Sequence, residues 1–91
     1  MLVVVKIRVE GYVQGVGFRY FVKTIADGYG IKGYVKNLYT GEVEIEAEGE
    51  KDFVQKFVEE IKKGSSLSQI RSLHVDYLED KSDYSKFEIV S

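Results

Sequence analysis

The sequence predicts an α+β fold in which two amphipathic helices cover one face of an antiparallel sheet. Three observations lead there. Apolar and polar residues alternate with strand periodicity over 2–10 and 42–48, apolar residues recur at helical spacing over 18–29 and 53–61, and glycines punctuate the joins. In order the elements read β-α-β-β-α-β, with a short fifth strand at the C-terminus. That order describes a ferredoxin-like α/β sandwich.

Val3, Val5, Ile7 and Val9 alternate with Val4, Lys6, Arg8 and Glu10, which makes residues 2–10 a strand buried on one face. Gly11, Gly15 and Gly17 interrupt it. Phe18, Phe21, Val22, Ile25 and Tyr29 then lie on one helical stripe of about three turns, ending near Gly28 or Gly30. Residues 31–37 are extended, and Tyr39-Thr40-Gly41 forms a turn. Val43, Ile45 and Ala47 alternate with Glu42, Glu44, Glu46 and Glu48, so one face is expected to be buried and the other solvated. A second helix carries Phe53, Val54, Phe57, Val58 and Ile61, with Lys62, Lys63 and Gly64 as stop signals. After a loop at 65–69, residues 70–78 form a fourth strand with Leu73, Val75 and Tyr77 inward, and residues 87–90 a fifth. In this topology the first strand neighbours the third and the second flanks it. The glutamate row then faces Lys6 and Arg8 on one side and Lys32 and Lys36 on the other, a solvated face rather than a metal or substrate site.

Composition limits the chemistry. Ninety-one residues, 44% hydrophobic and 13% aromatic, suit one domain over residues 1–91 and exclude disorder. Thirteen basic and fifteen acidic residues leave a net charge of −2, which offers no footprint for nucleic acid or an anionic membrane. With no Cys and the single His74, thiol nucleophiles, disulfides and Cys- or multi-His metal sites are excluded. The apolar run at residues 2–5 is too short to span a membrane or to act as a signal peptide. A cytoplasmic, monomeric protein without metal or cofactor is the expectation.

The chemically informative segment is Gly11-Tyr12-Val13-Gln14-Gly15-Val16-Gly17-Phe18-Arg19, which joins the first strand to the first helix. Glycines let consecutive amides face one concavity, and the helix start adds free N–H groups and the positive end of its dipole. Arg19 places a cation where the dipole favours an anion, which makes sense if an anion binds there. Its planar fork matches two oxygens of a phosphate or carboxylate. On the glycines alone, an ordinary strand-to-helix connection with Arg19 reaching out to solvent is the better explanation, because such loops are common. The Lys-Ser/Thr pair of a Walker loop is missing, and Tyr20 stands where a dinucleotide fingerprint needs its last glycine. Val13, six positions before Arg19, occupies the place of the thiol in a cysteine phosphatase loop. Any phosphoryl transfer here therefore uses direct attack by water.

Residues 11–19 match Gly-x-Val-Gln-Gly-Val-x-Phe/Met-Arg, the first signature of the acylphosphatases. Gly33-Tyr34-Val35-Lys36-Asn37, Gly41-Glu42-Val43 and Gly49 fit the second, and Tyr84-Ser85-x-Phe87-x-Ile89-Val90 is similar to the family's C-terminal ending. The sequence thus resembles an acylphosphatase over nearly its whole length. Tyr34 stands where many members have Trp, and the loop after Gly64 lacks a proline often found there. The resemblance implies a metal-independent hydrolase of small acyl phosphates. It implies that the amides of Gln14, Gly15, Val16, Gly17, Phe18 and Arg19 cradle the phosphate, that the Arg19 guanidinium grips the same group, and that Asn37 orients the attacking water. From spacing alone, an Asn before a turn is read as a backbone hydrogen-bonding residue, and only the family match makes Asn37 catalytic. His74 is placed on an outward strand position, so the substrate's own phosphate is the expected proton acceptor. Two other classes compete. Similar domains occur inside larger hydrogenase-maturation proteins that handle carbamoyl phosphate, so a non-catalytic phosphate-binding module is the alternative; the short termini favour a free-standing enzyme. RNA-recognition domains share the element order, but they need exposed aromatics where this chain has glutamates.

Overall fold

The computed structural model describes residues 1–79 and 84–90. Strand β1 (Leu2–Tyr12) leads into helix α1 (Phe18–Gly28), followed by β2 (Lys32–Asn37), β3 (Val43–Glu50), α2 (Lys51–Lys63), β4 (Gln69–Leu78) and β5 (Phe87–Val90). The sheet order is β4-β1-β3-β2-β5, so β3 lies between β1 and β2 as the element order requires. Among the described residues, no helix is long and apolar enough to cross a membrane.

The core lies between the sheet and the two helices. Val5, Ile7, Val9, Val43, Ile45 and Ala47 from the central strands are fully buried against Phe18, Val22 and Ala26 of α1 and Val54, Phe57 and Ile61 of α2. The 3.6-residue spacing of the apolar positions in both helices accounts for this one-sided burial. Two positions expected inside lie nearer the rim. Phe53 is 44% exposed and stacks on Tyr29, and Tyr77 is 55% exposed because β4 is an edge strand. Helix α1 stops at Gly28, and the chain turns through Tyr29 and the positive φ of Gly30.

Two expectations about the sheet are corrected. The sheet is mixed rather than antiparallel, since β5 pairs with β2 in parallel, Gly33 opposite Phe87 and Val35 opposite Ile89. The glutamate row is not fully solvated either: Glu44 and Glu46 are each only 8% exposed. The register does set Lys6 against Glu46, Arg8 and Lys36 against Glu44, and Lys32 against Glu48. Aromatic side chains cover the carboxylates, however. Tyr34 donates from its hydroxyl to Glu44 at 2.8 Å, Tyr84 donates to Glu46 at 2.8 Å, and the two rings meet edge to face. Tyr34 therefore does more than pack.

Candidate active site

The loop between β1 and α1 is held from both ends by apolar anchors. Val13 and Phe18 are each 1% exposed, and Val16 packs against the same core. Between them Gly15 and Gly17 take φ of 78° and 76°, left-handed conformations that a Cβ disfavours. Gly17 is the N-cap of α1, and it brings no capping side chain to the first N–H groups. Among the described residues, the N–H groups of residues 14–17 find no protein acceptor. The first turn of α1 contains no acidic residue. A run of N–H groups without a protein partner among the described residues thus lies beside a helix N-terminus, an arrangement suited to an anion.

Arg19 follows in the first turn of α1. One arm of its guanidinium, Nη1, donates to the Val90 carbonyl of β5 at 3.2 Å, which steers the side chain across the loop. Asn37 ends β2, opposite Val43 of β3. Its Oδ1 is buried and has no hydrogen-bond donor among the described residues. These parts converge: Gly15, Gly17, Phe18, Arg19 and Asn37 line one pocket of about 180 Å³, together with Val13, Tyr20 and Ile89. Arg19 and Asn37, 18 positions apart in sequence, therefore share a pocket large enough for a phosphate group and a water.

Not every expected residue lies in this lining. Val16 turns its side chain to the core, and the Gln14 side chain leaves the pocket for the turn after β2, so only their amides remain available to a ligand. Tyr20 and Ile89, which sequence reasoning did not single out, complete the wall and are 70% and 40% exposed. Tyr20 is adjacent to Arg19 and could have been suspected; Ile89 reaches the site only because β5 lies beside β2. His74 is an exposed residue of β4 opposite Arg8 and contributes nothing to the lining. A larger hollow of about 620 Å³ between α2 and β4 sets Lys56 among Asp52 and Glu59, without the glycine backbone or an arginine. Among the described residues, no group of three or more His, Asp and Glu side chains is placed to hold a metal ion.

The family model for acylphosphatase matches residues 5–89. An acylphosphatase from Archaeoglobus fulgidus is 44% identical over 88 residues, covering 97% of this chain and 98% of its own. The crystal structure of acylphosphatase from Bacillus subtilis superposes with a TM-score of 0.95 at 44% identity, covering the whole of both chains. The chain is also similar to part of full-length HypF, solved in its phosphate- and nucleotide-bound form. That likeness has a TM-score of 0.88 and 39% identity, and it takes in all of this chain but 12% of HypF. With a match running from residue 5 to residue 89 and relatives above 40% identity along nearly all of its length, the chain belongs to the acylphosphatase family.

Proposed function

We propose that this acylphosphatase-family hydrolase acts as one domain, releasing a carboxylate and inorganic phosphate from small acyl phosphates by direct, metal-independent attack of water. The observation that carries the reading is the convergence of Arg19, the glycine amides and Asn37 on one small pocket. In this mechanism the amides of residues 14–19 and the free arm of Arg19 hold the phosphoryl oxygens. The buried Oδ1 of Asn37 lacks a donor, and a water donating one hydrogen to it is held with its lone pair toward phosphorus. The water oxygen bonds to phosphorus as the phosphorus–oxygen bond to the acyl group breaks, and the electron pair leaves with the carboxylate. One water proton passes to a phosphate oxygen, since among the described residues no imidazole or carboxylate lines the pocket. Charge on the transferring group is the main demand of such a reaction, and fixed N–H groups with a guanidinium meet it without reorganising.

The test is hydrolysis of benzoyl phosphate and acetyl phosphate with a chelator present and a phosphate monoester as control. We expect turnover of both acyl phosphates and far slower cleavage of the monoester, whose leaving group needs a proton that the pocket does not supply. R19A should abolish both activity and inhibition by phosphate. N37A should lower kcat by ~10²–10³ and keep phosphate inhibition. Phosphate binding without turnover of either acyl phosphate would instead support a non-catalytic phosphate-binding module.

A further inference from the structure

Gln14 belongs to the cradle loop, yet its side chain is committed elsewhere. Its Nε2 donates to two carbonyls of the turn between β2 and β3, at 2.7 Å to Leu38 O and 2.9 Å to Glu42 O. Those carbonyls already close the turn. The Leu38 N–H donates to Glu42 O at 2.8 Å, and the Gly41 N–H donates to Leu38 O at 3.0 Å. Gln14 fills the remaining acceptor position of each, using both hydrogens of one nitrogen, as a neutral carboxamide can.

The cradle hangs from β1 and Asn37 from β2, with β3 between them. The two parent strands are therefore about 10 Å apart, two strand spacings. Backbone pairing alone leaves the loop beyond β1 free to shift relative to the end of β2. We infer that the Gln14 side chain is a positioning residue for hydrolysis: by gripping the turn that begins immediately after Asn37, it fixes that residue relative to the phosphate cradle. The inference rests on the hydrolase reading and deepens it. Gln14 touches neither phosphate nor water through its side chain, and it acts through Asn37.

Q14M removes both donors while keeping the length and bulk of the side chain. With benzoyl phosphate as substrate, we expect its kcat to fall by ~10–100-fold, because small misplacements of reacting groups carry losses of that order. The inhibition constant for inorganic phosphate should stay within about twofold, and in an N37A background Q14M should change kcat by less than about twofold. A merely structural role would lower the melting temperature and leave kcat of the folded enzyme unchanged. That result overturns the inference, as does additivity with N37A or a loss of phosphate affinity matching the loss of rate. Should Q14M not fold, Q14N carries the same expectation, since its carboxamide is one methylene too short to reach the turn. A wild-type chain inactive on acyl phosphates overturns the hydrolase reading and this inference together. An active wild type whose Q14M variant keeps its kcat overturns this inference alone.

Discussion

Asn37 holds a buried carbonyl oxygen that no donor among the described residues satisfies, and an orphaned acceptor of this kind costs on the order of 1–3 kcal/mol. A residue kept only to close the turn would spend that oxygen on the backbone, as Asn commonly does. The turn after β2 closes without it, through Leu38, Gly41 and Glu42. The residue is therefore a stability liability that makes sense as one half of a water site. N37A should retain or raise the melting temperature, by up to the equivalent of ~1 kcal/mol, even as it abolishes most of the activity. A thermal melt of the purified variant beside its kcat checks this, and a marked drop in melting temperature would count Asn37 as a turn residue after all. Gly15 and Gly17 illustrate the same economy of means. Nothing lies within 4 Å of where their Cβ atoms would stand, so the demand for glycine there is conformational rather than one of crowding.

Among the elements, β5 carries more of the site than its four residues suggest. Phe87 is 2% exposed, with its ring edge-on to Phe57, and the Lys23 ammonium reaches its carbonyl at 3.2 Å. Three residues on, the Val90 carbonyl holds Arg19, and Ile89 lines the pocket. Removing the Phe87 ring should cost about 3–5 kcal/mol. Because β5 is an edge strand, part of that loss should appear as local release. In F87A, activity against benzoyl phosphate should fail at temperatures where far-ultraviolet circular dichroism still reports a folded sheet. Coincident loss of both signals would make β5 a passive part of the core. Much of this architecture was legible beforehand. The alternation around Ile7 and Ile45 and the stripes through Val22 and Phe57 depend on neighbours a few residues away, so a single sequence displays them. The parallel pairing of β5 and the burial of Glu44 and Glu46 depend on partners far along the chain. Tyr84 reaches Glu46 across 38 residues, and no local periodicity encodes such a contact. The candidate site divides in the same way: Arg19 stood out by chemistry and place, whereas the place of Ile89 in the lining and the bonds of the Gln14 side chain to the turn after β2 became visible only in the fold.

Taken whole, the sheet has two unlike faces, one packed into an apolar core under the helices and the other carrying a layer of shielded charge. Glu44 is the centre of that layer. Burial alone would raise its pKa, but the Tyr34 hydroxyl and the cations Lys6, Lys36 and Arg8 outweigh it, so the carboxyl ionises below its ordinary value. The folded chain thus binds this proton less readily than the unfolded chain does. Glu44 therefore stabilises the fold fully above the unfolded glutamate value of about 4.3, and the contribution is lost as pH falls through the lower folded value. Tyr34 works at the opposite limit: burial first, then its bond to Glu44, raises its pKa. Its contribution is present below the ordinary tyrosine value of about 10 and is lost as pH rises through the raised folded value. Stability measured by urea unfolding should accordingly be flat between about pH 6 and 9 and fall on both sides. E44Q should make the acid limb shallower, since one of the carboxyls that titrates there is gone. It should also lower stability at pH 7, where Lys36 and Arg8 lose the charge they face at 3.7 Å. The loss from these two half-exposed cations should be modest, no more than about 1 kcal/mol each. An acid limb as steep in E44Q as in the parent chain would move the titration to other carboxylates. Glu10 is the first to examine, because its bond from Ser72 also lowers its pKa.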